Sequence, residues 1–101
     1  MSRVFWAERA LDDLRAIGDH IASDGPLAAR QWVARLQQQA EVAAEAPAMG
    51  RRVPEVGHND IREAYLRSYR IVYRAVPKGI VVLTVFEGHR TFPPLDGEES
   101  G

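Results

Sequence analysis

Residues 61–87, IREAYLRSYRIVYRAVPKGIVVLTVFE, decide the fold. They divide into three strand-like runs, 61–66, 69–76 and 80–87, separated only by Arg67-Ser68 and Pro77-Lys78-Gly79. Connections this short are hairpin loops, so the runs predict an antiparallel meander. In the first two runs the side chains alternate. Ile61, Glu63 and Tyr65 oppose Arg62, Ala64 and Leu66, while Tyr69, Ile71 and Tyr73 oppose Arg70, Val72 and Arg74. The third run, IVVLTVF, is apolar throughout and predicts a central strand covered on both faces, with burial among Val82, Leu83 and Val85.

Upstream, Arg3 to Trp6 is a short strand candidate rich in strand-favouring residues. From Ala7 to about Ser23 the period turns helical, with Leu11, Leu14, Ile17 and Ile21 on one stripe. Ser23-Asp24-Gly25-Pro26 breaks it, and Pro26 suits the first position of a second helix. That helix carries Ala29, Trp32, Val33, Leu36, Ala40 and Ala43 on one face and stops near Ala46, before Pro47. Two amphipathic helices joined so closely predict an antiparallel hairpin. Residues 49–59 are punctuated by Gly and Pro and read as a loop. Residues 93–101, PPLDGEESG, lack core-forming content and read as a flexible tail to a single domain of residues 1–92. The expected class is α+β in the order β-α-α-β-β-β, a helical hairpin packed on a small antiparallel sheet.

Composition excludes several function classes. At 101 residues, 46% apolar and 27% charged, the chain is one soluble domain. It has no cysteine, which excludes disulfide frameworks, cysteine-based metal sites and thiol catalysis. No apolar run approaches the roughly 18 residues of a membrane span, and MSRVFWAERA has no signal-peptide core. A cytoplasmic protein without a membrane partner is expected. Its net charge of −1 conceals a division: residues 1–50 balance at −2, 51–92 at +4 and 93–101 at −3. The basic segment provides a local field for an anionic partner.

Several strings in fixed order carry a family resemblance. They are WAERALDDL at 6–14, AARQWVARL at 28–36, PAMGRRVPE at 47–55, IRE at 61–63, YRIVYR at 69–74 and LTVFEGHR at 83–90. Together they resemble the RelE/ParE superfamily of toxins from bacterial toxin–antitoxin pairs, across nearly everything from Arg3 to Arg90. The resemblance implies a cognate antitoxin from the adjacent gene, ParD-like or similar, and no cofactor or metal. An apolar groove on the helical hairpin, formed by Leu11, Leu14, Trp32 and Leu36, suits an amphipathic acidic antitoxin segment. Arg52, Arg62, Arg70, Arg74 and Arg90 form the expected basic surface.

The branch decides whether the chain is an enzyme. RelE- and YoeB-type relatives cleave messenger RNA on the ribosome, whereas ParE-type relatives are understood to poison DNA gyrase without a nuclease site. By position, Glu55, Arg70 and His89 resemble the base, phosphate clamp and acid of a YoeB-type site. Each also has a structural reading. Glu55 can pair with Arg51 or Arg52, Arg70 with Glu63 or Glu87, and Trp6 and Trp32 suit the core better than base stacking. The chain departs from the nuclease pattern in two ways: Arg90 stands where a terminal Tyr is expected beside the His, and Lys78 is the only lysine. A fuller match to ParE-type chains puts a catalysis-free gyrase inhibitor of plasmid-stabilisation type first. The alternatives are a ribosome-dependent endoribonuclease and a non-toxic relative retained as a partner-binding module.

Overall fold

The computed structural model describes residues 2–57, 60–88 and 92–93. In chain order these form β1 (Arg3–Trp6), α1 (Glu8–Ala22), α2 (Pro26–Glu45), β2 (Arg51–Arg52), β3 (Ile61–Leu66), β4 (Tyr69–Val76) and β5 (Gly79–Glu87). A single 3-10 turn, Pro47–Met49, links α2 to β2. The expected tail from residue 94 onward, His89 and Arg90 lie outside the described residues.

The sheet order is β1-β5-β4-β3-β2. The meander of β3, β4 and β5 forms as expected, with Ile61 opposite Arg74 and Arg74 opposite Val81. Two features add to the expected small antiparallel sheet. First, β1 pairs parallel to β5, from Arg3 opposite Gly79 to Trp6 opposite Val82, so the sheet is mixed. Parallel neighbours need a long crossover, here supplied by the helical hairpin and the first strands of the meander. Second, Arg51 and Arg52 leave the loop to pair with Glu63 and Arg62, adding an edge strand too short to alternate visibly.

Gly79 makes the parallel closure possible. Its φ is +148°, and a Cβ there would lie 1.9 Å from the Arg3 carbonyl oxygen. Only glycine lets β1 approach so closely.

The helical hairpin covers one face of the sheet. Ala10, Ala40 and Ala44 keep that layer thin, while Leu14, Leu36, Ile71, Tyr73, Ile80, Val82 and Val85 fill it. A second, smaller cluster of Val53, Ile61, Val72 and Phe86 lies on the opposite face, with Val56, Leu83 and Phe92 packed against it. β5 therefore contributes to both layers, the arrangement its unbroken apolar run predicts. Leu83 is only half-buried, because the β4–β5 register slips between Val72 and Tyr73 and leaves it as the extra residue of a bulge. Beside this bulge the Asp13 carboxylate of α1 accepts from Thr84 Oγ1 at 2.6 Å and from the Val85 N–H at 3.0 Å. One carboxylate thus ties the first helix to the central strand.

Candidate functional site: an arginine between two glutamates

Arg70 and Glu63 have neighbouring places on the open face of the sheet, because Tyr65 opposite Arg70 is two residues from Glu63. Both are buried, at 6% and 2% exposure. The Arg70 Nε–H donates to Glu63 Oε1 at 2.7 Å, and Nη2 lies 2.6 Å from the same oxygen. The other side of the guanidinium meets Glu55 in a fork: Nη1 to Oε2 at 2.9 Å and Nη2 to Oε1 at 3.0 Å. Bidentate pairing of this kind is the strongest an arginine makes.

Glu55 reaches Arg70 from the turn after Val53, whose buried side chain anchors the loop to the open face. Two rings complete the cage, with the Arg70 guanidinium carbon 5.1 Å from the Phe86 ring centre and 5.4 Å from that of Phe92. Glu63 also accepts from the Tyr65 hydroxyl at 3.3 Å and lies 3.7 Å from Arg51 Nε. Hydrogen bonding to Arg70 holds the Glu55 carboxyl below its usual value, against the opposing pull of desolvation. The same bond pushes the Arg70 guanidinium further towards its charged form.

The structure therefore brings Glu55 and Arg70 together, and it corrects the placement of Arg70 on an exposed basic surface. Arg70 shares the parity of Val72, so its side chain turns into the small cluster and its charge is met by two carboxylates. Among the described residues, Arg52, Arg62 and Arg74 do not share one face either. Arg62 shares the parity of Ala64 and Leu66 on the helix side, opposite Arg52, and donates to the Gly50 carbonyl at 3.2 Å. Arg74 is on the open face and pairs with Asp60 at 2.6 Å. Strand alternation separates them.

The expected antitoxin groove is also redistributed. Leu11 and Leu14 line a groove of about 750 Å³ between the two helices, together with Ala29 and Val33 and with Arg15 and Arg30 beside them. Leu36 is fully buried against the sheet, because it points to the sheet side of α2 with Ala40 and Ala44. Trp32 lies outside the groove, 5.9 Å from the Tyr69 ring and beneath the Arg35 guanidinium at 4.8 Å. Glu63, expected only as one possible ion-pair partner of Arg70, is that partner, and its parity with Ile61 is the signal for its burial.

Residues 4–92 match the ParE toxin family of the type II toxin–antitoxin system parDE. The chain belongs to that family. It is 37% identical over 97 residues to Y4kP of Sinorhizobium fredii, described as a toxin candidate, covering 92% of this chain and 95% of the relative. It is 47% identical over 51 residues to the toxin RelE2 of Caulobacter vibrioides, covering 50% of this chain and 58% of that protein. A chain from the chromosomal ParDE system of P. aeruginosa has the same fold, with a TM-score of 0.72 and 24% identity over 86% of this chain and 96% of the other. As a ParE-family member the chain is the toxin component of a type II pair, and its family implies an antitoxin partner. Among the described residues no helix is long and apolar enough to cross a membrane.

Proposed function

We propose that this ParE-family toxin acts by binding and inhibiting DNA gyrase in the cytoplasm, with no nuclease chemistry of its own, and that a ParD-like antitoxin neutralises it. The observation that carries this reading is the saturated Arg70. To clamp a phosphate, the guanidinium would have to give up a bidentate pair with Glu55 while remaining bonded to the buried Glu63. Glu55 is equally poorly suited to taking a 2′-hydroxyl proton, because its lowered pKa makes it a weaker base. The pair is better explained as scaffold. The groove between α1 and α2 suits an amphipathic antitoxin segment, its apolar floor meeting leucine-like residues and Arg15 and Arg30 meeting acids.

The purified chain is added to a gyrase supercoiling reaction and, in parallel, to translating ribosomes. Supercoiling falls, messenger RNA stays intact, and His89→Ala retains the inhibition. Codon-specific messenger RNA cleavage by the natural chain, lost in His89→Ala, would overturn the reading in favour of a ribosome-dependent nuclease. Inactivity in both reactions, together with harmless expression in cells, would overturn it in favour of a non-toxic partner-binding module.

A further inference from the structure

The hairpin turn between β3 and β4 is built on an unexpected residue for its shape. Leu66 pairs with Tyr69, so Arg67 and Ser68 form a two-residue turn. Its first residue, Arg67, has a φ of +56°, the one positive φ outside glycine among the described residues. A two-residue turn with positive φ at its first position alone has the II′ form, in which glycine is the usual residue there. A long side chain in that backbone region costs stability. Arg67 is exposed, so no burial offsets the strain, and no carboxylate among the described residues pairs with it. Strain of this kind points to a use for the side chain outside the fold.

A second cation stands beside this turn. Tyr69, which closes it, lies 5.9 Å from the Trp32 ring, and the Arg35 guanidinium carbon lies over that ring at 4.8 Å. Trp32 is half-buried, whereas Arg35 is exposed. Stacking on an indole fixes the plane of a guanidinium but uses none of its N–H donors. Residues 26–40 contain no acid, so α2 presents Arg35 with no carboxylate one turn away on either side. At this end of the sheet, register places one acid, Glu87 opposite Tyr69, against the two arginines. Phosphate oxygens accept the arginine fork in pairs, and a row of phosphates suits two exposed guanidiniums carried by one rigid end.

We propose that Arg35 and Arg67 form a contact for the phosphate backbone of duplex DNA, apart from the Glu55–Arg70 cluster and from the groove between α1 and α2. The choice of DNA over an acidic protein rests on the gyrase reading, since gyrase works on a DNA duplex. Gripping that duplex holds the toxin on the enzyme–DNA complex.

Fluorescence anisotropy of a short labelled duplex at low salt reads the contact without gyrase. The purified chain binds the duplex, and Arg35→Gln and Arg67→Gly each weaken binding about tenfold. Each also lowers the steepness of log K against log salt by about 0.9. Arg3→Gln removes the same charge from exposed β1 at the far edge of the sheet and leaves binding nearly unchanged. Arg67→Gly keeps or raises the urea midpoint, because glycine accepts the backbone of the turn, so its lost binding is not lost fold. Equal losses in all three variants overturn the proposal, as do unchanged binding in Arg35→Gln and Arg67→Gly, a lower midpoint in Arg67→Gly, and no binding at all. Equal or tighter binding of polyglutamate overturns it in favour of an acidic protein partner, and tighter binding of single-stranded RNA in favour of an RNA ligand. Supercoiling is assayed separately. Inhibition without duplex binding overturns this proposal and leaves the gyrase reading standing, whereas duplex binding through both arginines without inhibition sinks the gyrase reading alone.

Discussion

Replacing Arg70 with methionine isolates the energetic role of the buried ion cluster. Methionine keeps an unbranched apolar side chain between Phe86 and Phe92 but removes the charge and every donor. Glu55 tolerates the loss, since its side chain is 41% exposed and can turn to water. Glu63 cannot, because its side chain is 1% exposed and its remaining partners are the Tyr65 hydroxyl at 3.3 Å and Arg51 at 3.7 Å. Stranding a buried charge in this way costs about 3–5 kcal/mol. Against a total stability of about 5–15 kcal/mol for a domain of this kind, the loss is a large fraction. Urea unfolding followed by Trp6 and Trp32 fluorescence measures it. Adding Glu63→Leu should restore at least about 2 kcal/mol, because replacing both members of a buried pair with apolar groups is often neutral. A loss below about 1 kcal/mol in Arg70→Met, or a double variant no more stable than the single, would refute the assignment of the cluster as a mutually dependent unit.

Gly50→Ala would place a Cβ 1.8 Å from the hydroxyl of fully buried Tyr73, which donates to the Pro47 carbonyl at 2.7 Å. The overpacking should cost about 1–3 kcal/mol in denaturant melts, and Tyr73→Phe should then cost less in that background than alone. Asp13→Ala leaves Thr84 and the Val85 amide without their shared acceptor, at about 1–3 kcal/mol for each group, and hydrogen exchange at Val85 should quicken. Glu55 supplies the acid dependence. Its folded-state pKa is depressed, so its contribution is present above the ordinary value of 4.5 and is lost as pH falls through the lowered one. Melts of Glu55→Gln should show a shallower loss of stability on acidification than the natural chain.

The meander and the helical hairpin were legible because periods of two and of about 3.6 residues appear directly in the order of apolar residues. Partners far apart in sequence were not. Nothing in RVFW says which strand it will join or in which direction, since that depends on where the helical hairpin returns the chain. Arg51-Arg52 is too short to carry a period. The bulge at Leu83 was hidden because an apolar run looks the same in or out of phase. At the site, Glu55 and Arg70 could be matched through the family resemblance, but the burial of Arg70 could not. A charged residue at a core-facing position reads as surface until its counter-ion is placed. Arg70 and Glu63 satisfy each other only once β3 and β4 are in register. Leu36 was assigned to the groove for the same kind of reason: the apolar stripe of α2 is broad enough to serve two sides, and only packing divides it.

The parallel seam also sets an order of events. Arg3 pairs with Gly79, 76 positions later, so the first strand has no neighbour until β5 has been synthesised. On a translating ribosome the two helices emerge long before the strands they cover, with Leu14 and Leu36 in water until the meander arrives. Closing so long a loop is slow compared with forming the hairpins of β3, β4 and β5. The nascent toxin therefore passes through a stage in which its helical layer is made and its sheet is not. A partner that recognises only the helices could engage the chain during that interval, before a finished toxin exists.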